Sequence, residues 1–186
     1  MRIVGGEWRG LALAGLGKGD PAAHLRPTSD RVRESLFSTL EHGGFGDPVP
    51  GARVLDLFAG TGALGLEALS RGAEHADFVE SGRPAQRLIA ENIARTRAGD
   101  RASLVRHDAT RLFAAPAGPA TLVFLDPPYG RGLGSRALTS TLEAGWIGRD
   151  ALIVWEEEAE MPAPPGFVTA DHRQYGGTHI TFLRRA

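Results

Sequence analysis

The residues with the clearest chemical potential form a short run at the end of an apolar stretch. The run is Asp126-Pro127-Pro128-Tyr129, and it directly follows residues 121–125. Two prolines hold φ near about −65°, donate no backbone hydrogen bond and push the preceding residue into an extended conformation. The pattern predicts a strand that ends in a stiff corner, where a carboxylate, carbonyl oxygens and a ring face one small space.

This set of groups suits a flat aromatic amine such as the exocyclic amine of a nucleobase, which is a poor nucleophile because its lone pair is delocalised. Acceptance of its two hydrogens by Asp126 and the Pro127 carbonyl would localise that lone pair. Tyr129 could stack on the base, which is worth about 1–3 kcal/mol. A carboxyl group with an ordinary pKa of about 3.9 is a weak base, so positioning precedes proton abstraction as the expected role of Asp126. The plainer alternative is a proline stop after a strand.

A second constellation lies about seventy residues upstream. Residues 53–58 form an apolar strand pattern that runs into a glycine-rich turn at 59–65 and then a helical stretch from about 63 to 71. Free backbone N–H groups and the helix dipole make such a turn a site for an anionic group. The pattern G-x-G-x-x-G is satisfied by Gly60, Gly62 and Gly65. A dinucleotide cofactor therefore stays open as an alternative.

Acidic residues end three successive predicted strands. Asp56, four residues before the first glycine, suits a cationic or ammonium-bearing ligand better than a pyrophosphate. Glu80 lies where a ribose-binding carboxylate is expected for either type of cofactor, and Asp108 could accept from an adenine amino group. Each acid taken singly could equally be a helix cap or a solvated strand end. Together they favour a ligand site, because open α/β sheets bind ligands outside the carboxyl ends of their strands.

The elements that must position these residues alternate along the chain, which predicts a mostly parallel sheet with helices on both faces. Strands are expected near 53–58, 76–80, 103–107, 120–125 and 151–156. Helices are expected near 63–71, 84–97, 108–114 and 133–144. Outside this core, the pattern predicts a hairpin over 1–15, a mobile loop over 15–25, a helix over 30–40 capped by Thr28 or Ser29, and a closing hairpin of 167–171 with 179–184. The acids Glu156, Glu157 and Glu158 are expected to run into solvent.

Composition bounds the class of protein. The chain has 186 residues, 42% hydrophobic and 23% charged, with a net charge of −1, which is typical of one globular domain. Without cysteine it can form no disulfide or thiolate metal site. The six histidines lack paired ligand spacing, so we predict no metal. No signal-peptide pattern or membrane-length apolar run is present, so a cytoplasmic location is expected.

The glycine turn after the first strand and Asp-Pro-Pro-Tyr after the fourth resemble the class I S-adenosylmethionine-dependent methyltransferases, which have a Rossmann-like fold. The resemblance implies that the aminocarboxypropyl group of the cofactor lies at the glycine turn, the ribose at Glu80 and the adenine near Asp108. The cofactor-binding residues so implied are Asp56, Phe58, Ala59, Gly60, Thr61, Gly62, Glu80, Asp108 and Ala109. Those implied for catalysis are Asp126, Pro127, Pro128 and Tyr129, the motif of the amine-methylating members.

A closer resemblance covers nearly the whole chain. Three segments, at 2–10, 26–37 and 58–72, look like the RsmD family, which methylates the N2 amine of one guanine in 16S ribosomal RNA of the small subunit. The Arg-Pro-Thr-x-Asp-Arg-Val-Arg-Glu run in the second segment is the most specific. This sequence departs from similar proteins after Glu80, where Gly82 stands in place of a frequent second acid. The resemblance implies a seven-stranded, mostly parallel sheet with a C-terminal antiparallel hairpin.

Further expectations follow from the same resemblance. The N-terminal hairpin and helix, 1–45, would form an RNA-contacting extension, and 46–186 the methyltransferase domain. The protein would act as a monomer, on partly or fully assembled small subunits rather than naked RNA. Of 21 basic residues only Lys18 is a lysine, and arginine brings bidentate phosphate geometry and base stacking. The candidate RNA contacts are Arg2, Arg9, Arg26, Thr28, Arg31 and Arg33.

Three other functions stay open at this point. A nicotinamide dehydrogenase would use the glycine turn but would leave Asp126 to Tyr129 without a task. An adenine-N6 DNA methyltransferase, or another nucleic-acid amine methyltransferase, would explain that run, yet little of the chain is left over for target recognition. An RNA-binding assembly factor without enzymatic activity would bind small subunits and transfer no methyl group.

Overall fold

The computed structural model describes residues 1–15, 29–115 and 118–186, and its centre is a seven-stranded sheet. The strands lie in the order β3-β2-β1-β4-β5-β7-β6. Their bounds are β1 Arg53–Leu57, β2 His75–Val79, β3 Ala102–Val105, β4 Ala120–Leu125, β5 Ile147–Glu157, β6 Phe167–Tyr175 and β7 Thr178–Arg185. The helices are α1 Asp30–His42, α2 Ala63–Ser70, α3 Arg83–Thr96 and α4 Leu133–Glu143.

The direction of the strands creates one crevice. Strands β1 to β5 pair in parallel, whereas β7 is antiparallel to both β5 and β6. From β1 the chain moves outward to β2 and β3, and it then returns to β4 on the other side of β1. The carboxyl ends of β1 and β4 therefore flank a topological switch point, where ligands bind in open α/β sheets. The mostly parallel sheet and its closing hairpin confirm the predicted fold class.

Alternation along the central strands builds two apolar layers. In β4, Leu122 and Phe124 point into the cluster that also contains Phe37 of α1, Leu66 of α2 and Ile89 of α3. The intervening residues of β4 point to the opposite cluster, which includes side chains of α4. Because successive side chains of a strand face opposite sides of the sheet, a continuous apolar run is what a strand covered on both faces requires.

The N-terminal residues pack on the first layer. A single antiparallel bridge joins Arg2 to Ala12, and the side chains of Ile3 and Leu13 are buried in the same cluster as the core of the sheet. Helix α1 begins after Ser29, whose hydroxyl accepts from the N–H of Val32 at 3.2 Å, as a helix cap does. Thr28 and the loop expected over 15–25 lie outside the described residues, save for Gly15. The division of the chain near residue 45 stays a prediction.

Two predicted elements differ from the structure. In place of a helix over 108–114 there is one 3₁₀ turn, Ala109–Arg111, which the Asp108 side chain caps and after which Leu112 is extended. Strand β5 runs from Ile147 to Glu157, so Glu156 and Glu157 are not in solvent, being 5% and 4% exposed, whereas Glu158 is exposed as predicted. In the described ranges, no helix combines the length and apolarity that crossing a membrane would need.

Candidate active site

The Asp-Pro-Pro-Tyr corner lies beside the glycine turn. Strands β1 and β4 pair with Leu57 opposite Leu125, and the N–H of Asp126 points to the carbonyl of Leu57 at 3.4 Å. Asp126 therefore follows β4 at the level where Phe58 follows β1. The parallel register brings together two segments that are about seventy residues apart in the sequence.

The backbone of the glycine turn is strained where it leaves β1. Phe58 has a φ of 58°, a left-handed conformation that costs a bulky residue on the order of 1–3 kcal/mol. Gly60 and Gly62 have φ of 58° and 77°, which glycine adopts without a Cβ clash. At Gly65 a Cβ would lie 2.4 Å from a ring carbon of Phe78, so this glycine lets α2 pack closely on β2. Strain of this kind concentrates at ligand sites.

Asp56 lies beneath the turn rather than on its open side. The residue is 2% exposed, and its Oδ2 accepts from the N–H of Gly65 at 2.9 Å in the first turn of α2. Burial raises the pKa of Asp56 to about 8; the Gly65 hydrogen bond opposes that rise and the charge of Glu80 adds to it. The buried carboxyl group favours a positively charged neighbour over a pyrophosphate.

Glu80 joins the end of β2 to the glycine turn. Its Oε2 accepts from the N–H of Gly60 at 3.0 Å, and its Oε1 accepts from the N–H of Gly82 at 2.6 Å. Glu80, which is predicted to bind the ribose of the cofactor, thus lies at the edge of the glycine turn. On the other side, the buried amide of Asn92 donates to the carbonyl of Thr61 at 2.9 Å, which fixes the turn to α3.

Asp108 lies at the carboxyl end of β3, next along the same edge. It is exposed, and its Oδ1 accepts from both the N–H and the hydroxyl of Thr110 at 2.8 Å. The hydrogen bond from the Thr110 backbone is the largest cause that lowers the pKa of Asp108. Ala109 is buried behind it. Asp108 therefore caps a turn in this structure and stays charged at the edge of the crevice.

Two acids at the end of β5 brace the corner, and the sequence reasoning missed both. The hydroxyl of Tyr129 donates to Oε1 of Glu156 at 3.0 Å. The carboxylate of Glu157 accepts from the backbone of Gly130. The signal that could have revealed them is their position directly after the apolar core of β5, the next strand along the same edge of the sheet. Burial, then the charge of Glu156, raises the pKa of Tyr129 above its usual range.

The acids at the ends of β1, β4 and β5 form one cluster of carboxyl groups. Burial is the largest cause that raises the pKa of the half-buried Asp126 well above its usual range. The charges that add to this rise come from Glu156, Asp56 and Glu157. Burial likewise raises the pKa of Glu157. Like charges gathered in a desolvated crevice are relieved by a cation or by hydrogen-bond donors, so the cluster fits a sulfonium group and an amine.

The predicted RNA-contacting arginines do not share one environment. Arg2, Arg9 and Arg31 are exposed, and Arg2 forms an ion pair with Asp30 at 3.7 Å. Arg26 and Thr28 lie outside the part of the chain that the structure describes.

The prediction that Arg33 contacts RNA is wrong, because its side chain is 0% exposed. It donates to Asp30 at 2.9 Å and to the carbonyl of Arg2, and its Nε lies 3.5 Å from Oε2 of Glu67. Glu67 is itself fully buried and accepts from the N–H groups of Val4 and Gly5 at 2.8 Å. Arg33 thus fixes the N-terminal segment to α2 instead of facing RNA.

No group of three or more histidine, cysteine or acidic side chains in the described ranges has the arrangement of a metal site. The absence of a metal requirement stays a prediction.

Comparison with known proteins adds four findings. The model of the family described as "Conserved hypothetical protein 95" matches residues 1–184. "Ribosomal RNA small subunit methyltransferase D" of Escherichia coli K12 is 40% identical over 164 residues, which cover 88% of this chain and 78% of that protein. The protein of the same name from Haemophilus influenzae is 33% identical over 87% of this chain and 81% of its own. The structure solved for yhhF of Escherichia coli has a TM-score of 0.82 and 37% identity, and covers 100% of this chain and 97% of that one.

Proposed function

The chain belongs to the RsmD family of ribosomal RNA methyltransferases, and on that premise we propose that it methylates the exocyclic N2 amine of one guanine in 16S ribosomal RNA with S-adenosylmethionine. One observation carries the proposal: the Asp126 corner adjoins the glycine turn through the β1–β4 register. An amine-binding group and a cofactor-binding turn then share one crevice. The names of the relatives support RNA of the small subunit as the substrate.

The residues present fit the cofactor. The turn from Phe58 to Gly62 offers backbone groups, Glu80 a carboxylate at the lip, and Asp108 with Ala109 the adjoining edge. Asp56 and the β5 acids surround the crevice with carboxyl groups, which a positively charged sulfur would help to ionise. When bound, S-adenosylmethionine supplies an electrophilic methyl group on a positively charged sulfur.

Asp126 has two tasks in this scheme. With the carbonyl of Pro127 it accepts the hydrogens of the guanine N2 amine, which localises the nitrogen lone pair. When the nitrogen has acquired the methyl group it must lose one proton, and Asp126 receives that proton. Burial and the neighbouring acids raise the pKa of Asp126, and a carboxylate with a raised pKa is a stronger base than an ordinary one. Most of the rate enhancement comes from alignment in a preorganised crevice.

Tyr129 holds the base flat. A guanine must leave its stack to enter the crevice, and an aromatic ring compensates for part of the stacking that is lost. The hydrogen bond from Tyr129 to Glu156 and that from Gly130 to Glu157 fix the ring and the backbone after it. The end of β5 thus positions the corner without touching the base.

Recognition of the substrate is assigned to the N-terminal extension. Arg2, Arg9 and Arg31 are exposed and can contact RNA phosphates. Arg26 and Thr28 belong to the same proposal from their motif, whereas Arg33 is left out because it is buried. We assign residues 1–45 to this extension and 46–186 to catalysis, in a monomer that acts on the small subunit rather than on naked RNA.

The test is to map methyl incorporation on small subunits from a strain that lacks this gene. The expected product is N2-methylguanine at a single position of 16S RNA, formed with S-adenosylmethionine. Label in adenine or in DNA would overturn the substrate. Calorimetric binding of NAD in preference to S-adenosylmethionine would overturn the cofactor. Binding to subunits with no label transferred would favour an assembly factor.

A further inference from the structure

A basic pocket opens at the edge of the sheet opposite to the candidate active site. Its volume is about 440 Å³, and it is lined by Trp8, Arg9, Arg95, Arg97 and Arg101 among others. None of these residues has a task in methyl transfer itself; Trp8 and Arg9 lie in the proposed RNA-contacting extension.

The course of the chain explains this location. Helix α3 begins after the carboxyl end of β2 and returns to the amino end of β3, so its 14 residues span about 21 Å from the crevice edge to the pocket. The N-terminal segment follows α2 in the same direction. The N–H of Glu7 donates to the carbonyl of Ser70 at 2.7 Å, and that of Trp8 donates to the Ser70 hydroxyl at 2.9 Å.

The pocket carries positive charge beyond what its acids neutralise. Arg101 lies 3.5 Å from Glu7, and Arg95 lies 2.7 Å from Glu91. Within the part of the chain that the structure describes, Arg9 and Arg97 form no ion pair. Two exposed guanidinium groups therefore remain available to an anion.

One wall of the pocket suits a nucleic acid better than an acidic protein. The guanidinium carbon of Arg101 lies over the Trp8 ring at 5.1 Å from its centroid. Aromatic rings and the guanidinium planes of arginine are the surfaces on which unpaired bases stack. Arg97 is also held in a left-handed conformation, with φ of 54°, at the residue that ends α3. Residues with a side chain rarely adopt this left-handed conformation, and here it is found at an arginine that lines the pocket.

We propose that this pocket is a second RNA-binding site, which holds the phosphates and an unpaired base of a segment separate from the methylated guanine. Arg9 and Arg97 bind phosphate oxygens, and the Trp8–Arg101 pair forms the stacking wall. A single RNA that occupies both edges must extend along the length of α3, so the pocket selects a large folded RNA over a short one. The inference rests on the proposed function only in that RNA is the substrate.

The first test measures binding of a fluorescein-labelled single-stranded RNA oligonucleotide by anisotropy across a range of salt. The double variant Arg9→Ala/Arg97→Ala should reduce the slope of log affinity against log salt by about 1.4, since each phosphate contact contributes about 0.7 on a single strand. The matched control is Arg87→Ala/Arg149→Ala, which removes two exposed arginines elsewhere and should leave the slope unchanged. Equal slopes for the two double variants would overturn the proposal.

The second test separates RNA from other polyanions. Trp8→Ala should weaken RNA roughly fivefold or more through lost stacking, whereas Trp8→Phe should restore most of it and polyglutamate should bind both variants alike. Loss of polyglutamate binding equal to that of RNA would point to an acidic protein and contradict the proposal. These readouts need no methyl transfer, so they stand or fall separately from the proposed activity. In subunit methylation the arginine double variant should raise KM and leave kcat and the cofactor Kd unchanged.

Discussion

At the carboxyl edge of the sheet, four acids crowd around the crevice; at the amino edge, four arginines line an open pocket. Burial raises the pKa of Asp56, Asp126 and Glu157, and the charges of the other acids add to the rise at Asp126. The arginines are exposed or half-exposed and keep their water. The acidic crevice suits a sulfonium group and an amine. The basic pocket suits an extended polyanion.

The difference explains why the net charge of −1 is uninformative about partners. The net charge is a sum over the whole chain, whereas a ligand at one edge meets mainly the groups of that edge. RNA that binds at the basic edge is positioned by contacts remote from the reaction. The reacting groups meet at the carboxyl edge, beside the strained glycine turn. Variants that move charge at either edge test this division.

The largest effect is expected at Asp126. Asp126→Asn should lower turnover about 10²–10⁴-fold, because the proton acceptor is lost while the shape is kept. Affinity for S-adenosylmethionine should stay close to that of the unmodified protein, as measured by calorimetry. Asp150→Asn, at an exposed position, is the control and should change neither quantity. Equal losses of turnover and cofactor affinity would place Asp126 in cofactor binding instead.

The next largest effect is expected at Arg33, which the sequence assigned to the RNA-contacting surface and the structure buries. Arg33→Met should lower the free energy of unfolding by about 3–5 kcal/mol, since it leaves the buried Glu67 without one of its cations. Denaturant titration measures this loss. Arg31→Met, at an exposed position two residues earlier in the same helix, should change stability by less than about 0.5 kcal/mol. If Arg33→Met instead left stability intact and reduced the salt dependence of RNA binding, Arg33 would belong to the RNA surface.

A smaller effect is expected where β5 braces the corner. Tyr129→Phe keeps the ring and removes a hydrogen bond to a carboxylate, which is worth about 1.5–3 kcal/mol, so turnover should fall roughly tenfold or more. Glu156→Leu, which removes the acceptor, should have a comparable effect. The double variant should be little worse than either single one, because both remove the same contact. Fully additive losses in a double-mutant cycle of kcat would show that the two residues act independently.

The smallest effect, counted per pH unit at about 1.4 kcal/mol, concerns pH. An unfolded aspartate has a pKa of about 3.9, whereas burial raises the pKa of Asp56 to about 8. Between those values the folded protein binds more protons than the unfolded chain, so the free energy of unfolding falls as pH rises across this window. Asp56→Asn, which can still accept from Gly65, should flatten that fall. Unfolding curves at several pH values measure it, and an unchanged slope would mean that Asp56 ionises normally.

Local patterns predicted the parts of the fold that local physics controls. The run at 121–125 predicts a strand and the two prolines predict its end, because side-chain alternation and proline geometry act over a few residues. The burial of Glu156 was missed, since it depends on β7, where Ile180 pairs with Glu156 from another part of the chain. Arg33 was misassigned for a similar reason: Glu67, its buried partner, lies in a different helix. The helix expected over 108–114 was wrong, because Asp108 caps a single 3₁₀ turn and Leu112 is already extended.

The most direct test of the central claim is a single-turnover assay on unmodified small subunits with labelled S-adenosylmethionine, comparing the unmodified protein with Asp126→Asn. The two carboxyl-edge segments, at Phe58 and Asp126, are claimed to form one methyl-transfer crevice. The expected result is label at the N2 of one guanine of 16S RNA with the unmodified protein, and almost none with the variant, although both bind cofactor and subunit equally. Full transfer by the Asp126→Asn protein would contradict the account.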